Sequence, residues 1–318
     1  MFSKKTANGT RAAWLLTAVC IPAITLSGGC RWAAVLPAAA ACGLIGFCVL
    51  RLCGENLSAS RPVCLLQWVW LSVYLGSIAA RSADSWEHGD TYPVIPGILL
   101  LLAAFSARSG AKKAANAGAI LFWPAALILG IVFGAGTSGL EAEWMAPEWG
   151  APDPELLPLL LLPCLAVFLP GGGARGVAWL PLAAAAVAAA AALWIGGSLS
   201  PSVAEEARNP LIFYSESISL FGVAERFEAV ISCVLTVGWF AMFSLVLSTA
   251  GTMADRLRPG LGQWGVWICA GLALAQMLLP LEVPPLFSAA VSLTLWAAVP
   301  LMETAVKLCR QKGERSRQ

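Results

Sequence analysis

The polar residues able to do chemistry are few, and they sit inside apolar stretches. Gln67, Trp70, Tyr74, Ser77, Arg81 and Asp84 follow one another at spacings of three and four, so a helix would carry them on one face. Such a face suits a pocket wall or gate that hydrogen-bonds a polar ligand, and Arg81 and Asp84 are close enough to pair. It equally suits an aromatic belt with an interfacial ion pair. Glu225, Arg226 and Glu228 form a second cluster. An arginine flanked by acids is either neutralised locally at an interface or available to couple a cation and close over a ligand. Proline and glycine give a third signal. Pro22 lies inside an apolar run that ends in Ser27, Gly28 and Gly29, and Pro158, Pro163 and Pro170 lead into Gly171, Gly172 and Gly173. Where no water is present, an interrupted helix frees backbone N–H and C=O groups, and a zwitterionic ligand satisfies them. The alternative is a simple proline kink.

Other chemistry is poorly served. His88 is the only histidine, which argues against histidine-built zinc sites and against Ser–His or Cys–His pairs. Gly136, Thr137, Ser138 and Gly139 resemble a nucleophile turn, yet no apolar run holds a histidine to activate Ser138. The ten cysteines include no CxxC pair and read as small apolar residues rather than ligands. A net charge of +2 carries no nucleic-acid signal. No enzyme activity, metal or cofactor is expected.

The elements that must position these residues follow from composition. With 58% hydrophobic residues, 12% charged residues and a mean hydropathy of +0.76, the chain is far from the roughly 25% charge of soluble domains. A bilayer core takes about 20 apolar residues per helix. Runs of that kind cover residues 12–29, 33–50, 63–83, 92–107, 114–136, 156–169, 177–195, 229–250, 264–281 and 286–306. Residues 1–318 are thus expected to form one all-α polytopic membrane domain of about ten spans. The first run, preceded by Lys4, Lys5 and Arg11, also has the form of a secretory signal peptide, but a second span follows almost at once. Alternating the loops, with the N-terminus inside, leaves only Arg31, Arg81, Arg208 and Arg226 of the 20 Lys and Arg outside. By the positive-inside rule both termini are cytoplasmic.

Two finer expectations concern local packing. The alanine run 183–192, broken by Val187, reads as a close helix contact. Residues 209–228 alternate aromatic, aliphatic and hydroxyl side chains and read as re-entrant or interfacial. The breaks in spans one and six fall at corresponding positions if the chain is a transporter-like 5+5 inverted repeat, which points to a midplane site between them. The expected lining is the backbone of Ile21, Pro22 and Ala23 with Tyr74, Ser77, Glu155 and Pro163, and the gating or ion-pair groups are Arg81, Asp84, Glu225, Arg226 and Glu228.

Three stretches resemble a known family. Tyr92, Pro93, Val94, Ile95 and Pro96 lead an apolar span ending at Ala107, followed by Arg108 and Gly110. Tyr74 through Arg81 to Asp84 closes span three. Glu225, Arg226, Phe227 and Glu228 precede a span with Trp239 and Phe240. These are similar to the B subunits of endospore nutrient-germinant receptors, the spore germination permeases of the amino acid, polyamine and organocation superfamily. The family's Phe-Pro-Phe-Gly-Glu segment before span six is half kept, as Pro152, Asp153, Pro154 and Glu155. The resemblance implies a subunit in a spore inner membrane or cell membrane that binds a small nutrient, an amino acid above all. It would signal germination to an A subunit and a lipoprotein C subunit. An amino acid secondary transporter and a ligand-free structural membrane subunit are the competing readings.

Overall fold

The computed structural model describes residues 2–27, 32–54, 57, 60–82, 94–145, 154, 156–169, 177–200, 203, 209–217, 227–279 and 283–315. In chain order these form α1 (Phe2–Ser27), α2 (Trp32–Leu52), α3 (Arg61–Ser82), α4 (Val94–Arg108) and α5 (Ala111–Ala135), the last closed by a 3-10 turn at Gly136–Gly139. Next come α6 (Leu156–Leu161), which tightens into a 3-10 helix over Leu162–Phe168, then α7 (Leu180–Ser198), α8 (Pro210–Ser217), α9 (Phe227–Leu257) and α10 (Gly262–Leu278). A final rod consists of α11 (Pro285–Leu293), a π turn (Thr294–Ala298) and α12 (Val299–Arg315). The described residues of each of the ten apolar runs lie mainly on helices, and no strand occurs among the described residues. Six helical stretches, Trp32–Leu52, Arg61–Ser82, Asn116–Ala135, Leu180–Ser198, Glu228–Leu257 and Pro285–Arg310, are long and apolar enough to cross a membrane. Arg11–Leu26, Val94–Arg108 and Leu156–Phe168 are apolar but shorter.

The outer surface fits a bilayer. On α5, Ile120, Trp123 and Leu127 are 72%, 73% and 66% exposed at i, i+3 and i+7, an apolar stripe that in water would invite association and in hydrocarbon costs nothing. Inside, helices meet through small residues. A Cβ on Gly43 would lie 3.0 Å from the Cβ of Ala185, and one on Gly46 would lie 2.7 Å from the Cβ of Pro181. Ala184, Ala185, Ala188, Ala191 and Ala192 are buried. The alanine run is therefore the seam that lets α7 approach α2, as small residues do where lipid competes equally for large ones. Trp14, 1% exposed, occupies the space where Gly118 of α5 has no side chain.

Residues 209–217 fold inward. The Asn209 Oδ1 accepts the Ile212 N–H at 3.3 Å, capping α8, and Tyr214 stacks on Phe133 at 5.8 Å. Its hydroxyl donates to the Val132 carbonyl at 3.4 Å, and Gly136 leaves room for the phenol ring. Two expectations need correction. Span one is not interrupted: α1 runs continuously through Pro22 to Ser27, because a proline removes one i→i−4 bond and a helix packed on several sides tolerates that loss. Arg11, expected in a flanking loop, lies inside α1 and is 2% exposed.

Candidate functional site

The apolar segment Leu156–Phe168 is the one that is broken. Pro163 offers no N–H and its ring crowds the carbonyl one turn back, so the α-helix stops at Leu161 and the chain continues in the tighter 3-10 winding to Phe168. The Leu169 N–H closes that segment on the Ala166 carbonyl at 3.2 Å. A seven-residue 3-10 run is longer than the three or four residues usual for this geometry, and one carbonyl in the turn before Pro163 goes without its helical donor. The whole segment 158–169 is buried. Its principal neighbours are α1, α2, α7, α9 and α11, so the irregular backbone sits where protein rather than lipid surrounds it, the condition for tolerating it at membrane depth.

The helix α9 supplies the polar side chains. Gly238 of α9 accommodates Ile21 of α1, and the Arg256 guanidinium rests 4.7 Å from the centroid of the Phe168 ring. Thr249 lies eleven residues after Gly238 and seven before Arg256. At 3.6 residues per turn these three share one face, which turns Thr249 towards α1 and the 3-10 segment. Thr249 is 0% exposed and its hydroxyl has no hydrogen-bond partner. The Ser244 and Ser248 hydroxyls, on the same two turns of helix, are buried and equally unpartnered. This is unusual for a helix, where such hydroxyls normally bond back to the carbonyl four residues earlier. Thr252 does so to Ser248 at 3.0 Å and Thr236 to Ser232 at 2.7 Å. Each hydroxyl donates one bond and accepts two, and leaving one buried and unpaired costs about 1–3 kcal/mol. Thr249, on the face towards the irregular backbone segment, is a group that a small polar ligand would satisfy, while Ser244 and Ser248 lie about 140° and 100° round the helix from it.

The residues singled out in the sequence divide as follows. Ile21, Pro22 and Ala23 are buried on α1, against α9, but their backbone is helical and the Ile21 carbonyl also accepts the Thr25 hydroxyl at 3.0 Å. They contribute side-chain surface rather than freed amides. Pro163 is in the site as the cause of the break. Tyr74 is buried and Ser77 half-buried on α3, where Ser77 bonds back to the Tyr74 carbonyl at 3.0 Å. The principal neighbours of α3 are α4, α9, α10 and the π turn, and α9 is the helix it shares with the broken span. Arg81 is half-buried in the last turn of α3, and Glu228 is exposed in the first turn of α9, where a carboxylate favours the helix dipole. Asp84, Glu155, Glu225 and Arg226 lie outside the described residues.

The first half of the polar stripe has a different partner from the one expected. Gln67, 0% exposed, donates from Nε2 to the Leu295 carbonyl at 2.8 Å and to the Leu57 carbonyl at 3.3 Å. The Trp70 indole N–H donates to Ser292 Oγ at 2.9 Å. The π turn explains the first bond. The Val299 N–H bonds back to Thr294 rather than to Leu295, and the next residue, Pro300, has no N–H, so the Leu295 carbonyl has no donor within its own helix. Sequence reasoning missed Thr249, Ser244 and Ser248. Nothing in the sequence separates them from Thr252 and Thr236; their fuller burial and the missing back-bond do.

No protein-family model matches the chain, and no curated protein matches it.

Proposed function

We infer that the chain is a ligand-binding membrane subunit of ten spans, built as two five-span halves in inverted orientation. It takes a small zwitterionic nutrient of the amino-acid class between α1, the broken sixth span and α9. The observation that carries the reading is how packing partners exchange when span n is replaced by span n+5, numbering the ten apolar runs in order. Span one packs on five as six packs on ten, one on seven as six on two, four on eight as nine on three, and five on eight as ten on three. Spans one and six, two and seven, three and eight, and four and nine each pack on their own counterparts. The contacts of span one with eight, six with eight, four with five and two with ten have no principal counterpart, and the first two of these asymmetries fall at the candidate site. In such repeats ligands bind at the interface of the halves, near discontinuous helices.

The test is the melting temperature of the purified full chain with a panel of amino acids, sugars and nucleosides. A ligand at a hundredfold excess over its Kd stabilises the folded state by about 2.7 kcal/mol. One amino acid is expected to raise the melting point, and Thr249→Val is expected to abolish that rise. Without ligand the variant should melt at the same temperature or higher, because it removes a buried hydroxyl that has no partner. A ligand shift that survives Thr249→Val would overturn the site. Uptake into proteoliposomes separates a sensor from a secondary transporter, since only the latter moves ligand across.

The narrower reading, a germinant-binding subunit acting with A and C subunits in a spore inner membrane, rests on the resemblance of residues 74–84, 92–110 and 225–240 alone. The orientation is supported by Arg51, Arg108 and Arg256 in the last turns of α2, α4 and α9, where they complement both the cytoplasmic side and the helix dipole. A membrane-impermeant maleimide is expected to label exposed Cys309 in inside-out vesicles and not in intact cells, in a variant keeping that cysteine alone. Cys53, just past α2, should react slowly at pH 8 from either side. Burial raises its thiol above the ordinary range, a hydrogen bond with Thr304 offsets part of that rise and the nearby Glu303 carboxylate adds to it, so less of it is thiolate. Labelling of Cys309 in intact cells would reverse the orientation.

A further inference from the structure

The last turns of the final rod lie against the start of α3 and leave a groove between them that the ligand reading does not use. It encloses about 370 Å³, and Val63, Val299, Met302 and Val306 form its apolar wall. Val299 to Val306 spans about 10 Å along the helix axis. Met302 and Val306 are 61% and 52% exposed, so the groove opens on the same surroundings as the apolar outer stripes. The apolar run 286–306 ends at Val306 and is followed at once by Lys307 and then Arg310, both of which line the groove. The groove is therefore apolar at the depth of the hydrocarbon and basic at the depth of the phosphates, whichever side of the membrane the rod ends on.

One acid lines the same groove, and it does not cancel the bases. Glu303 precedes Lys307 by four residues, a spacing at which the two side chains can pair. Here Glu303 Oε1 accepts the Ser60 hydroxyl at 2.5 Å and fastens the rod to the start of α3, while Oε2 is buried without a hydrogen-bond partner. The carboxylate is thus committed to the protein side of the groove. Lys307 and Arg310 are exposed, and their i, i+3 spacing puts their stems about 5–6 Å apart, close enough to share one phosphate. With one acid and two bases, the lining carries a net positive charge of one.

We propose that the groove holds one anionic phospholipid, with its phosphodiester on Lys307 and Arg310 and an acyl chain along Val63, Val299, Met302 and Val306. A headgroup of net charge minus one neutralises the lining, whereas a zwitterionic headgroup leaves the positive charge standing and brings its own cation beside two others. Lys307, Arg310, Lys312, Arg315 and Arg317 face only Glu314 in the sequence after the run, and a basic segment at a membrane surface attracts anionic lipid in general. The apolar wall is what turns that attraction into one bound molecule. A soluble phosphate ester would meet the bases and leave the wall unused. This site is separate from the one at the broken span, and its test reads a different molecule.

The experiment is native mass spectrometry of the full chain from micelles containing equimolar phosphatidylglycerol, phosphatidylethanolamine and phosphatidylcholine with identical acyl chains. The chain is expected to retain one phosphatidylglycerol in preference to either zwitterionic lipid by roughly tenfold, about 1.4 kcal/mol, which two bases near a membrane surface supply. Lys307→Ala with Arg310→Ala should bring the three lipids level, whereas Lys113→Ala, which removes an exposed base of α5, should leave the preference intact. Val306→Trp fills the groove and keeps both bases, and it should lower retention of phosphatidylglycerol severalfold. Equal retention of the three lipids by the wild-type chain would overturn the proposal without recourse to any variant. So would a preference that Val306→Trp leaves unchanged, because the bases alone would then be acting, or displacement of the lipid by excess soluble glycerol 1-phosphate, because the apolar wall would then contribute nothing.

Discussion

Gly118→Ala is expected to destabilise the protein more than any other single methyl group added to it. The new Cβ would coincide with the Trp14 indole, and Trp14 is fully buried between α1 and its neighbours. An indole has no flexible end to withdraw, so either the ring leaves its rotamer or α1 and α5 separate. Overpacking of this kind typically costs 1–3 kcal/mol and sometimes more. Here the collision involves a rigid ring, so a loss of at least about 3 kcal/mol is expected. Unfolding of the purified protein by a denaturing detergent measures it. Gly130→Ala and Gly271→Ala are the controls, since nothing lies within 4 Å of a Cβ at either position, and both should match wild type. A Gly118→Ala variant as stable as these controls would mean that α1 and α5 do not pack as described.

The second large effect is expected at Gln67. Replacing it with leucine keeps much of the volume and removes the donor that serves the Leu295 and Leu57 carbonyls. The Leu295 carbonyl cannot recover a bond from its own helix, because the proline at 300 supplies no N–H. An orphaned buried carbonyl costs about 1–3 kcal/mol, and two are created. Leucine also removes Gln67 Oε1, which is buried with no hydrogen-bond partner, so Gln67→Leu should lower stability by a net amount of about 1–3 kcal/mol, while Gln67→Leu combined with Pro300→Ala should recover part of the loss by letting the π turn relax towards a regular helix. No recovery in the double variant would show that Pro300 is not what isolates Leu295.

The sequence made the helices legible because lipid imposes a length and an apolar composition on every span, and residues 33–50 or 63–83 meet both conditions without reference to any neighbour. It also made the broken sixth span legible, since Pro163 acts on its own backbone. Pro22 gave the same local signal and a different outcome: whether a proline interrupts a helix or is absorbed by it depends on the packing around it, which for α1 holds the helix straight through. The candidate site was half legible for a related reason. Gln67 and Trp70 announced an inward face, but their partners are a carbonyl and a hydroxyl on the final rod, 228 and 222 residues away. Thr249 gave no signal in the sequence, because what distinguishes it from Thr252 is the absence of a bond, and that is a property of the surroundings.

The seam between α2 and α7 has a mechanical consequence. Where large side chains interlock, two helices slide by switching rotamers, which is how shear motions proceed. Gly43, Gly46, Pro181 and Ala185 have no rotamers to switch, and their backbones are already in near contact. Sliding there would lift one helix over the other. Any rearrangement that opens or closes the bundle must then carry α2 and α7 as one rigid unit, with the bending left to the segments at its ends.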